Sequence, residues 1–300
     1  MILLNYIVMC LIFSTSFLAI KLGLTDGMPP FFFAALRFLL AGALILAFLG
    51  LRKQWSPLPL RSYLDIATVA FLMTTIPFAS LYWAEQHISS GMAALLVATA
   101  PIFSTLLSIA LGQVRFRWHL LAGLLLGICG IYLVVGATPE SAQQGPLPLI
   151  GKLAIVSSEL IYAIGVIRSK RLLQTVPPLT FNALQMTFAS VGLLFLSLLF
   201  EDTLQIRFTV ASLSSLLYLA CIVSILAFGM FYWLLKETNP TFPVTWTYVS
   251  PVIALVIGAI FYREPVSVGQ LAGGFSVLLG ILLLNASVWR KSERKSAVPE

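Results

Sequence analysis

The sequence predicts an all-α membrane protein of ten transmembrane helices, arranged as two inverted five-helix repeats. Composition, an internal repeat and the placing of basic residues predict it. The 300 residues are 59% hydrophobic and only 10% charged, with a mean hydropathy of +0.99. A soluble chain of that size has too little charge to cover so much apolar side chain. Tyr232-Trp233, Pro251, Leu271-Ala272-Gly273, Gly280, Ile281 and Leu283 fall on Tyr82-Trp83, Pro101, Leu121-Ala122-Gly123, Gly130, Ile131 and Leu133 at a constant offset of 150. Pro29-Pro30, Phe33, Ala35-Leu36, Ala41 and Leu46 recur as Pro177-Pro178, Phe181, Ala183-Leu184, Ala189 and Leu194 at an offset of 148, and Lys21 has Lys170 as its counterpart. Such symmetry in an apolar chain marks membrane proteins built from repeats.

Apolar runs at 3–22, 30–50, 63–83, 90–111, 118–136, 150–169, 178–200, 211–234, 241–262 and 267–288 supply the ten helices. Each is near the roughly 20 residues that a bilayer core about 30 Å thick requires. Asp26 to Pro30, Gln54 to Pro57, Ser89 to Gly91, Pro139 to Pro148, Val176 to Pro178 and Asn239-Pro240 punctuate them, being rich in the residues that break helices. Residues 1–138 form the first repeat, 139–289 the second, and 290–300 a basic cytoplasmic tail. Residues 1–22 lack a basic leading region and a small-residue cleavage site, so the first helix is expected to stay in the protein. Cys10, Cys129 and Cys221 lie in apolar segments as small hydrophobes, and neither disulfides nor a thiolate metal site is expected.

With the N-terminus inside, the chain's 18 lysines and arginines divide into 13 on the cytoplasmic side, 4 outside and Arg37 alone mid-span. Cytoplasmic loops are enriched in these residues, so both termini are placed in the cytoplasm. Five helices per repeat is an odd number, so the second repeat enters the membrane from the opposite face. The net charge of +7 then follows from topology. Scattered over several loops, it forms no patch for a nucleic acid.

The run Pro-Pro-Phe-Phe-Phe-Ala-Ala-Leu-Arg-Phe at 29–38, Tyr82-Trp83, Ala100-Pro101, Ser250-Pro251, Arg263-Glu264-Pro265 and the two glycine-rich final helices resemble the drug/metabolite transporter superfamily, EamA type. The resemblance covers 3–288. It implies a multi-pass protein of the cell inner membrane and a central cavity lined mainly by the first, third, fourth, sixth, eighth and ninth helices. It also implies export of a small-molecule solute such as an amino acid or another metabolite. Val114 departs from the pattern, because the first repeat often carries there the glutamate that Glu264 supplies in the second.

Of the 11 acids, Glu159 alone sits mid-span. An ionisable group at that depth costs roughly 2.5–3.5 kcal/mol on insertion scales and usually faces a cavity, a partner or a substrate. Either it serves solute or proton coupling, or it is a structural acid hydrogen-bonded to a neighbouring helix. At about 1.5 Å per residue, Arg37 and Glu159 lie roughly 10 Å and 14 Å in from the outer ends of their helices. Two readings of Arg37 stay open: a partner of Glu159 in a pair or polar network, or a cation that snorkels to the headgroups. Ser14, Ser16, Tyr82, Trp83, Tyr162, Trp246 and Tyr248 are candidate cavity residues, with Tyr162 three residues beyond Glu159 on the same face. The Tyr-Trp pairs at 82–83 and 232–233 also suit interfacial anchoring. Pro101 and Pro251 each release a backbone carbonyl mid-helix, as a hinge, as site polarity or as a passive kink. Gly123 to Gly127 and Gly269 to Gly273 are small-residue faces that fit packing within the chain or against a second copy.

No constellation for catalysis is present. His-Glu-x-x-His, Gly-x-Ser-Gly, paired mid-span aspartates and a Walker A run are all missing, and His87 and His119 fall at opposite faces. No cofactor is expected. Secondary transport is the reading left, with a non-transporting scaffold or partner subunit, or a lipid-carrier flippase on the same fold, as alternatives. The sequence does not separate monomer from dimer.

Overall fold

A computed structural model describes residues 1–24, 27–55, 57–88, 90–136, 146–202, 206, 208–250, 252–253 and 268–296. Its helices are α1 (Ile2–Leu24), α2 (Pro30–Leu51), α3 (Leu60–Ala84), α4 (Ser90–Val97), α5 (Ala100–Ala110), α6 (Trp118–Gly136), α7 (Pro146–Leu172), α8 (Pro178–Phe200), α9 (Val210–Glu237), α10 (Thr241–Val244) and α11 (Val268–Ser296). No strand occurs among the described residues. Among the described residues six helices are long and apolar enough to cross a membrane, namely α1, α2, α3, α7, α8 and α9. Ala100–Ala110, Trp118–Gly130 and Leu271–Leu284 are shorter apolar helices.

Local chemistry sets the ends and breaks of these rods. Pro30 and Pro178 open α2 and α8 at the first helical position, where a missing N–H costs nothing. Thr209 and Ser212 start α9 as a reciprocal capping box, Ser212 N donating to Thr209 Oγ1 at 3.1 Å and Thr209 N to Ser212 Oγ at 2.9 Å. The apolar run at 90–111 breaks between α4 and α5, and Pro101 stands in the first turn after the break. Gly112 ends α5 with φ +67°, a conformation that costs glycine little. Helices α3 and α9 each contain a π-helical segment, at Phe71–Thr75 and Leu219–Ala227. These segments sit at the same place in the repeat, one offset of 150 apart.

Packing joins helices from the two halves of the sequence. The most extensive contacts pair α6 with α11 and α2 with α8; α3 lies along α7, and α1 along α9. Backbones meet where α6 crosses α11: a Cβ on Gly280 would stand 2.8 Å from the Gly123 carbonyl oxygen, and one on Gly130 would stand 2.6 Å from the Gly273 carbonyl oxygen. Packing within the chain thus occupies the faces of Gly123, Gly130, Gly273 and Gly280.

A carboxylate ties α2 to α8. Pro29 and Pro30 leave the start of α2 without a capping side chain. Glu201, at the end of α8, accepts from Phe31 N at 2.6 Å and Phe32 N at 2.9 Å. A negative group at a helix N-terminus satisfies orphan donors and opposes the helix dipole. Glu201→Ala is therefore expected to cost roughly 1–2 kcal/mol, read as a lower thermal unfolding midpoint in detergent. Glu201→Gln, which keeps one acceptor, should fall between the two.

Candidate solute cavity

Between the α1/α9 pair and the α3/α7 pair lies a cavity of about 50 Å³. At ~10–15 Å³ per molecule it has room for roughly three to five waters. Phe13, Phe17, Phe78, Phe228 and Trp246 make its walls apolar, while Ser16, Arg37, Glu159, Tyr162 and Thr247 supply polar groups. The aromatic walls hold one another by ring contacts, Phe13 lying 5.0 Å from Phe228 and 4.5 Å from Trp246 between centroids.

Glu159 is 4% exposed and lines the cavity from α7. Among the described residues neither a hydrogen bond nor an ion pair reaches its carboxyl group, so it is not tied to a neighbouring helix. Arg37 lines the same cavity from α2 but does not pair with Glu159. Its Nε donates to Ser224 Oγ at 2.9 Å and its Nη1 to Tyr82 Oη at 3.0 Å. The guanidinium also lies over the Phe38 and Phe78 rings, at 4.8 and 5.3 Å. At 1% exposure Arg37 does not snorkel to a membrane face; two hydroxyls and two ring faces offset the cost of keeping it inside.

The remaining candidates divide. Ser16, Tyr162 and Trp246 line the cavity. Tyr82 is fully buried and holds Arg37, and Tyr232 is also fully buried, so neither tyrosine is an interfacial anchor. Trp83 stacks edge-on against His87 at 4.9 Å, away from the cavity. Ser14 donates to Cys10 O at 2.6 Å, and its Oγ lies 3.3 Å from Ser250 Oγ. Tyr248 does not line the cavity; it packs with Leu120, Leu124 and Val277 against Gly127. Pro101 is buried where α5 begins, and Pro251 lies outside the described residues.

Several polar residues were not singled out in the sequence. Gln185 Nε2 donates to Thr74 Oγ1. It stands at the position of Arg37 shifted by 148, and Thr74 is the position of Ser224 shifted back by 150. Positions related by these offsets thus make one contact twice, from α2 into the π segment of α9 and from α8 into that of α3. Asn182 adds a third tie, its Nδ2 donating to the Ser224 carbonyl at 3.1 Å. Glu85 is a second buried acid, just past α3, and neither carboxyl oxygen has a hydrogen-bond partner among the described residues.

The sequence matches the EamA-like transporter family over residues 1–136 and 149–286. The chain belongs to that family. This EamA-like protein is 29% identical over 275 residues to YedA of Escherichia coli K12, described as an uncharacterized inner membrane transporter, covering 91% of this chain and 87% of the relative. Against the Bacillus subtilis transporter YvbV it is 27% identical over 278 residues, covering 90% and 86%. Protein PagO of Salmonella typhimurium is 25% identical over 284 residues, covering 93% and 90%. A solved crystal structure superposes with a TM-score of 0.77 at 21% identity, over 96% of this chain and 97% of the other, a likeness of fold. The EamA-like chain is thus a membrane transporter, with six of its described helices long and apolar enough to span the bilayer.

Proposed function

We propose that this transporter is a secondary exporter of small zwitterionic metabolites, amino acids foremost, working by alternating access around the cavity. In this reading ten spans form two inverted five-helix repeats, 1–138 and 139–289, with both termini cytoplasmic. The twofold recurrence of the Arg37–Ser224 contact as Gln185–Thr74 and the two matched family segments support the repeats.

One observation carries the substrate class. An acid and a base line the same apolar cavity, and neither has the other as its partner. A zwitterion offers an ammonium for Glu159 and a carboxylate for Arg37, whose planar fork suits that group. The aromatic lining accepts an apolar side chain. The cavity is too small for such a solute as it stands, so loading requires the helix pairs to part, as alternating access demands.

The test is uptake by the purified chain in proteoliposomes, with and without a proton gradient, from a panel of amino acids, their carboxamides and organic cations. Amino acids should move well and their carboxamides at least tenfold more slowly, the scale of a lost charge-assisted hydrogen bond. Flux of cations alone would overturn the zwitterion reading. Absence of any flux would favour a scaffold, and lipid scrambling in place of solute flux would favour a flippase.

A further inference from the structure

We propose that Lys21 and Lys170 are the two gate residues of the cavity, each latching its walls together at one end. The assignment rests on the alternating-access reading. Lys21, in the last turn of α1, donates from Nζ to the Glu85 carbonyl and, at 3.4 Å, to the Ile88 carbonyl just past α3. Lys170, in the last turn of α7, donates to the Lys236 carbonyl in the last turn of α9 at 2.6 Å. Both bonds cross from one wall to the other, the first from α1 to α3 and the second from α7 to α9. Each uses the same chemistry, an ammonium on the carbonyls that a helix C-terminus leaves unsatisfied. Lys21 and Lys170 are also counterparts in the internal repeat.

The two latches lie at opposite ends. Helices α1 and α9 run antiparallel, because Ser215 bonds the Ala19 carbonyl while Phe13, earlier in α1, meets Phe228, later in α9. Lys21 therefore sits beside the Ser215 end of α9. Lys236 is 21 residues further along α9, roughly 30 Å away at 1.5 Å per residue.

They also differ in what stands behind them. Cavity-lining Ile20 adjoins Lys21, and cavity-lining Leu81 lies one turn before Glu85, so the Lys21 latch closes a thin gate. Towards Lys170, buried Val166, Phe231 and Leu235 fill the space beyond Tyr162 and Phe228. That gate is thick. Buried beside the thin latch, the Glu85 carboxyl oxygens have no hydrogen-bond donor among the described residues, and the Lys21 ammonium is the charge that faces them.

The test is the sidedness of labelling at a reporter thiol, Ser16→Cys, in a chain whose three native cysteines are replaced by alanine. A membrane-impermeant maleimide is applied to right-side-out and inside-out vesicles. Lys21→Met should speed labelling about tenfold from one face, the effect of losing one charge-assisted bond from a closed–open equilibrium, and Lys21→Arg should restore the slow rate. Lys170→Met should speed labelling from the opposite face and by less. Unchanged rates, or acceleration from both faces by either variant, would overturn the proposal. If Lys21→Met does not fold, Lys21→Gln, which keeps an N–H for the Glu85 carbonyl but loses the charge, should speed labelling several-fold from that face alone; an unchanged rate, or a gain from the other face, would overturn it. The assay needs no solute, so its outcome is independent of whether the zwitterion reading holds.

Discussion

Glu159→Gln is expected to abolish the response of transport to a proton gradient, while exchange of solute continues at weaker affinity through the amide oxygen left to the solute's ammonium. The carboxyl group faces the cavity, buried and without a protein hydrogen-bond partner. Under the proposed alternating access it is therefore free to gain or lose a proton when the cavity opens. Glutamine keeps the shape and polarity of the side chain but cannot exchange the proton. The fold should survive the change, since no hydrogen bond or ion pair is broken. At one proton per solute, a gradient of one pH unit is worth about tenfold in accumulation, and that factor is what the variant should lose. Uptake into proteoliposomes with and without the gradient measures it. If wild type and variant move the same solute alike, Glu159 is structural, facilitated diffusion becomes the mechanism, and the aromatic lining carries recognition.

Much of this arrangement was legible in the sequence because the chain says it twice. The apolar runs and their polar breaks located the long helices, and Pro101 marked the break before α5. Depth was legible too: residue counts alone put Glu159 and Arg37 at similar depths, and the shared cavity needed the structure. Rotation about the helix axis was not. Arg37 could have pointed at Glu159, at lipid or at α9; its choice of Ser224 and Tyr82 follows from how α2 packs between α3 and α9. Tyr248 illustrates the same limit, since it stands two positions after Trp246 and that rotation takes it from the cavity to the α6/α11 crossing. Gln185 was within reach, because the offset of 148 maps it onto Arg37. A neutral amide in an apolar helix carries no charge to draw notice. Glu85 sat near a helix end, where acids are usually solvated, and only the packing around Lys21 shows it to be buried.

That mapping makes Arg37→Gln the most informative change at the site, because it gives the first repeat the residue the second already uses. Gln185 shows that glutamine at this position reaches the hydroxyl offered by the facing π segment. In the variant the amide should keep the bond to Ser224 and release Tyr82, a stability cost of about 1–3 kcal/mol that the folded chain should survive. What it removes is the charge facing the cavity. Solute affinity should fall about 10–100-fold, the worth of one charge-assisted hydrogen bond to a carboxylate. Arg37→Lys keeps the charge but not the fork that spans Ser224 and Tyr82, so it should recover only part of the loss. Calorimetric binding of an amino acid and of its carboxamide in detergent separates recognition from folding. Wild type should discriminate between them, and Arg37→Gln should bind both with the same weak affinity. A variant that still prefers the free carboxylate would make Arg37 a bridge between α3 and α9 and nothing more, and recognition would then have to come from the hydroxyls of Ser16, Tyr162 and Thr247.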